Sequence, residues 1–123
     1  MIKKMIGVTT IAMTMLTGSL TAASAAEDLS AEVDLTIQED LASVQVLTEV
    51  CPGIVGQNAQ LDQNAQKLIS QYLTDYSDKS MTYQKLQADQ QYQSVLQQAR
   101  QEAKQITKDE HQAVCNDLIA QDI

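Results

Sequence analysis

Apolar residues recur along this chain at three- and four-residue spacing, the period of helices packed by one face. Ile37, Leu41, Val44, Leu47 and Cys51 share such a face, and Thr36-Ile37-Gln38-Glu39 matches a capping box. A first helix is therefore expected to start at Thr36 and to deliver Cys51 on its buried side. Residues 27–36 admit two readings. Val33, Leu35 and Ile37 alternate as a strand does, whereas Leu29, Val33, Ile37 and Leu41 keep a fourfold helical step.

The stretch Cys51-Pro52-Gly53-Ile54-Val55-Gly56 organises the rest, since it contains the only proline and the last two glycines of the chain. Proline donates no backbone hydrogen bond and disfavours helical dihedrals in the residue before it, and glycine tolerates the left-handed conformation that closes a helix. The first helix should end at Val50 and Cys51. Ile54 and Val55 make this corner apolar, so it is expected either to tuck beneath the last helix or to form an exposed patch for a partner.

Beyond the corner, Asn58 is placed to cap a second helix carrying Leu61, Ala65, Leu68, Ile69, Tyr72, Leu73 and Tyr76. Turn-forming residues follow from Asp75 to Lys79. Ser80 is the expected cap of a short segment with Met81, Tyr83 and Leu86. Asp89 should cap a helix whose stripe is Tyr92, Val95, Leu96, Ala99, Ala103 and Ile106. Thr107-Lys108-Asp109-Glu110 repeats the capping pattern before a last helix with Val114, Cys115, Leu118 and Ile119. These elements predict an all-α fold, a small bundle of about four helices.

The N-terminus changes how that fold is to be read. Lys3 and Lys4 precede an apolar run from Met5 to Leu20, and Ala23-Ser24-Ala25 is a small-x-small cleavage pattern, with Ser24-Ala25-Ala26 one residue on. Residues 1–25 read as a cleavable secretory leader and residues 26–123 as a single helical domain exported to the periplasm. In that oxidising compartment the only two cysteines, Cys51 and Cys115, are expected to form a disulfide stapling the first helix to the last. Neither sits in a Cys-x-x-Cys redox motif. With no Trp, no Phe and four Tyr, the core has few large side chains, and such a staple would matter.

Charge narrows the partners. The whole chain has sixteen acidic and eight basic residues, and loss of Lys3 and Lys4 with the leader leaves 6 − 16 = −10. Scattered basic residues on an acidic chain argue against nucleic acid and against stable membrane association after cleavage. Eighteen glutamines dominate the polar faces and read as solvated helix surface.

Candidate chemistry is sparse. His111 and Cys115 stand at metal-ligand spacing beside Asp109 and Glu110, but a site needs three or four ligands and Cys115 is expected to be oxidised. His111 therefore reads as an exposed or capping residue, with no metal. Met81 and His111 are the only pair that could serve as haem ligands, and Met81 reads as core filler. No nucleophile motif is present, and no cofactor is expected.

The Thr-x-Gln-Glu start near Thr36, the Glu49-Val50-Cys51-Pro52 corner and the late Ala113-Val114-Cys115 resemble an uncharacterised family of small secreted gammaproteobacterial proteins with two cysteines. That resemblance implies export and a disulfide, and no activity. In size, helicity and one long-range disulfide, the chain is also similar in architecture to periplasmic acid-stress chaperones. The expected function is binding, not catalysis. One form is a stress-protective, chaperone-like binder; the other is a specific binder or inhibitor of one exported protein.

Overall fold

The structure, a computed structural model, describes residues 22–123, with side chains from Leu29 onward. The leader expected over residues 1–25 lies outside the described residues except for 22–25, the start of the first helix. Six helical segments and no strand occur among the described residues: α1 (Ala22–Val50), α2 (Pro52–Val55), α3 (Ala59–Thr74), α4 (Tyr83–Leu86), α5 (Gln90–Gln105) and α6 (Lys108–Ala120). Four are long and two are single turns, in line with the expected bundle.

Helix α1 is central, with α3 and α5 both packed on it, while α6 packs on α3 and α2. Sandwiching explains its buried positions. Ile37, Leu41 and Val44 form the expected stripe, but Gln38, Ala42, Gln45 and Val46 are buried as well. At 100° per residue these positions cover more than half the circumference.

The capping box at Thr36 is not used. Thr36 lies within α1, its hydroxyl donating 3.1 Å to the Glu32 carbonyl one turn back. The fourfold stripe runs unbroken through residues 29–41, so nothing stops the helix there, and residues 27–36 are helical and not extended. Ser80 is corrected too: it bonds Asp78 Oδ1 at 2.6 Å through its hydroxyl, and Thr82 caps α4 by accepting from the Lys85 N–H at 3.1 Å. Asn58, Asp89 and Thr107 cap α3, α5 and α6 as expected, accepting from Leu61, Tyr92 and Glu110 N–H groups at 3.1, 2.9 and 3.2 Å.

No glycine follows Gly56, so the helices beyond it cannot end on the left-handed glycine that commonly satisfies the last carbonyls. Side chains from beyond each helix do this instead. Lys79 Nζ donates 2.7 Å to the Thr74 carbonyl at the end of α3. His111 Nε2 meets the Ala103 carbonyl near the end of α5 at 2.8 Å. Fully buried Asn64, on α3, directs its Nδ2 at the end of α6, 2.8 Å from the Leu118 carbonyl and 3.1 Å from that of Gln121.

The core also contains glutamines that the sequence assigns to solvent. Gln45 and Gln87 exchange two amide hydrogen bonds at 3.0 Å, and the buried Tyr92 hydroxyl donates to Gln45 Oε1 at 2.7 Å. Gln38 Nε2 donates to the Tyr76 hydroxyl at 2.9 Å, while Gln38 Oε1 is buried with no partner. These side chains stay uncharged, so they cost far less to bury than ions would, provided they are bonded.

Replacing Asn64 with alanine should strip the end of α6 and destabilise the domain by about 2 kcal/mol, the usual cost of leaving buried polar groups unpaired. Asn116→Ala, on the exposed face of the same helix, is the control and should shift stability by less than about 0.5 kcal/mol. Equal denaturation midpoints for the two variants would contradict the capping role.

Burial raises the phenol pKa of Tyr76, Tyr83 and, furthest, Tyr92. A raised folded value means the native state holds these protons more tightly than the unfolded chain. The associated stability is complete below the ordinary phenol value of about 10 and is lost as pH rises through the folded values. Denaturant midpoints should therefore fall between about pH 9 and pH 11, and less steeply for Tyr92→Phe. A flat profile over that range would refute the assignment.

Candidate functional site

The corner is built differently from its sequence reading. Cys51 stays in the right-handed helical region, at φ −59° and ψ −38°, despite the proline after it. Its N–H still reaches the Leu47 carbonyl at 2.8 Å, and Pro52 then occupies the first position of α2, where a missing N–H costs nothing. The reversal comes at Gly56, the only described residue with positive φ, 81°. Gly53 lies inside α2, and a Cβ there would meet nothing within 4 Å, so its identity is not sterically required.

Helix α2 packs against α6, with Ile54 and Val55 half-buried and Val55 against the core. Beside it, Cys51 and Cys115 form a disulfide, both fully buried, with Cα atoms 5.7 Å apart. Within the corner Val55 packs on the core, Pro52 and Ile54 are half-buried, and Gly53 and Gly56 are exposed.

A recess lies at the other end of α6. Helix α5 stops where Ile106 turns extended, at φ −84° and ψ 137°, and Thr107 starts α6 on a new course toward α3 and α2. The divergence of α5 and α6 leaves a groove of about 210 Å³ against α1, floored by Val46 and Leu47 and sided by Ala99, Ala103 and His111. Ile106 and Val114 stand at its rim, each 43% exposed, and neither packs on the core. Both were expected on buried stripes. Ile106 falls outside because the helix ends before it, and Val114 because the buried face of α6 follows His111, Cys115 and Leu118 instead.

His111 is buried, not exposed, and its capping contact is with another helix. A carbonyl only accepts, so Nε2 carries the proton in the bond to Ala103, and Nδ1 makes no hydrogen bond to the described residues. His111–Cys115 metal ligation is not available in this arrangement, because the cysteine sulfur is committed to the disulfide. Among the described residues no three His, Cys, Asp or Glu side chains gather as metal ligands would. Met81 packs on the core.

The groove continues toward the N-terminal half of α1 as a polar trough lined by Glu39, Asp40, Gln98 and Glu102, sharing Ser43, Ala99 and Glu102 with the apolar part. Arg100 and Lys104 line an adjoining recess of α5 that shares Val46, Ala103 and His111 with the groove, and there Arg100 Nη2 pairs with Glu49 Oε1 at 2.6 Å.

A family model described as a domain of unknown function, DUF7944, matches residues 37–118. The chain belongs to this family. No curated protein and no solved structure matches it. The matched DUF7944 segment runs from Ile37 to Leu118, the first and last residues of the buried core, and so encloses the disulfide, the corner and the groove. The exposed Leu29, Val33 and Leu35 lie before it.

Since α2 braces α6, Ile54→Ser with Val55→Ser should destabilise the DUF7944 domain by about 2 kcal/mol, less than two fully buried aliphatic chains would cost. Thermal denaturation of the oxidised protein checks this, and an unchanged midpoint would return the corner to the status of a free surface.

Proposed function

We propose that this protein is an exported binding protein that presents the groove between α1, α5 and α6 to a protein partner, and that it is not an enzyme. The carrying observation is the rim, where Ile106 and Val114 are left in water at a concave apolar recess inside the family-matched segment, whereas the other large exposed apolar side chains, Leu29, Val33 and Leu35, lie before that segment. Export to the periplasm is supported by the leader pattern at residues 1–25 and by the buried disulfide, features also expected of small secreted gammaproteobacterial proteins with two cysteines.

The charge pattern favours a specific binder over an acid-triggered chaperone. Unfolding on acidification needs native contacts that fail when carboxylates take up protons. Here the polar contacts of the core are chiefly amides and phenols, and the carboxylate contacts, Asp89 with the Tyr92 N–H, Asp34 with Ser77 and Glu49 with Arg100, lie partly or fully at the surface, where they contribute less.

The double variant Ile106→Ser with Val114→Ser should keep stability within about 1 kcal/mol, since neither side chain packs on the core. It should also lose a partner that the wild-type protein retains from periplasmic extract, while Ile54→Ser with Val55→Ser keeps it. Undiminished retention by the groove variant would overturn the reading. Suppression of aggregation of several unrelated proteins at low pH would replace it with the chaperone.

A further inference from the structure

Groove size and the charges around it identify what kind of segment fits. About 210 Å³ lies below the usual range for small-molecule sites, about 300–1,000 Å³, and near that of engineered cavities, about 150 Å³, that hold one benzene. It accommodates one large aliphatic or aromatic side chain. The trough that extends from it is lined by three carboxylates, Glu39, Asp40 and Glu102, and no lysine or arginine lines either part. Along α5 the charges are sorted by face, with Glu102 on the trough and Arg100 and Lys104 on the recess beside Glu49. The same sign prevails in the sequence, where no basic residue occurs between Lys4 and Lys67.

We propose that the groove takes a linear segment of a basic protein partner, seating one apolar side chain between Ile106, Val114 and His111 and laying neighbouring Lys or Arg side chains along Glu39, Asp40 and Glu102. This rests on the binding function proposed above and adds the chemistry of the partner. Charge complementarity selects the occupant: apolar contact anchors the segment, and the carboxylates fix its direction and reject acidic competitors. His111 contributes a buried ring whose Nδ1 has no hydrogen bond to the described residues, available to a polar group of the bound segment. A second copy of this chain is a poor occupant. Its exposed apolar residues Leu29, Val33 and Leu35 are interspersed with Glu32 and Asp34, which would face the trough with like charge.

The test uses the oxidised chain lacking residues 1–25 and short synthetic peptides read by fluorescence anisotropy. One peptide has a single leucine among lysines, a second has glutamine for every lysine, and a third has serine for the leucine. The lysine–leucine peptide should bind at least about tenfold more tightly than either control, with affinity falling as salt rises. The triple variant Glu39→Gln, Asp40→Asn, Glu102→Gln, with its melting temperature measured as a folding control, should abolish the preference for lysine over glutamine. Ile106→Ser with Val114→Ser should abolish binding of all three. Equal binding of the lysine and glutamine peptides would overturn the basic partner and leave the groove itself standing. Binding undiminished by the groove variant would place the site elsewhere and overturn both. Failure of every peptide to bind would overturn the inference, with partner retention by the groove variant still deciding the function.

Discussion

Everything distinctive about this domain depends on where α6 is held. That helix packs on α3 and α2, while α5 and the main face of α1 lie against each other. Its position is set by the Cys51–Cys115 bond at its middle, the Asn64 amide at its end and the His111 contact near its start. A disulfide closing a 64-residue separation removes unfolded-state entropy corresponding to about 4 kcal/mol on the chain-entropy model. For a domain with no Trp or Phe, that is a large part of the usual total. The groove is the space left over α1 where α6 departs from α5.

The long helices were legible in the sequence because three- and four-residue apolar spacing is a local signal. So were the caps at Asn58, Asp89 and Thr107, whose side chains act three residues along the same chain. The pairing of Cys51 with Cys115 followed from there being only two cysteines and an export pattern. Thr36 misled because a hydroxyl can cap a new helix or bond back to the turn before it, and only the continuation of the helix through residues 29–35 decides between them.

The groove was not legible, and the reason is physical. Periodicity places Ile106 and Val114 on apolar stripes but cannot say that one helix stops before its stripe does or which of two faces the next helix buries. Gln38, Gln45 and Asn64 were hidden by the same limit. An amide looks like solvated surface until its partner, here as far as 57 positions away at Gln121, is brought beside it. His111 is a capping candidate in the sequence, though the helix end it caps belongs to α5 and not to its own element.

Because α5 and α6 end on side chains from other helices, their lengths are a property of the assembled domain. A helix closed by its own glycine has a defined end as soon as it forms. Helix α6 acquires its end only when residue 64 meets residue 118, across a loop whose closure entropy must be overcome first. Isolated peptides of α5 or α6 would therefore fray at their C-termini, and ordering of those ends reports docking of the whole bundle and not local helix formation.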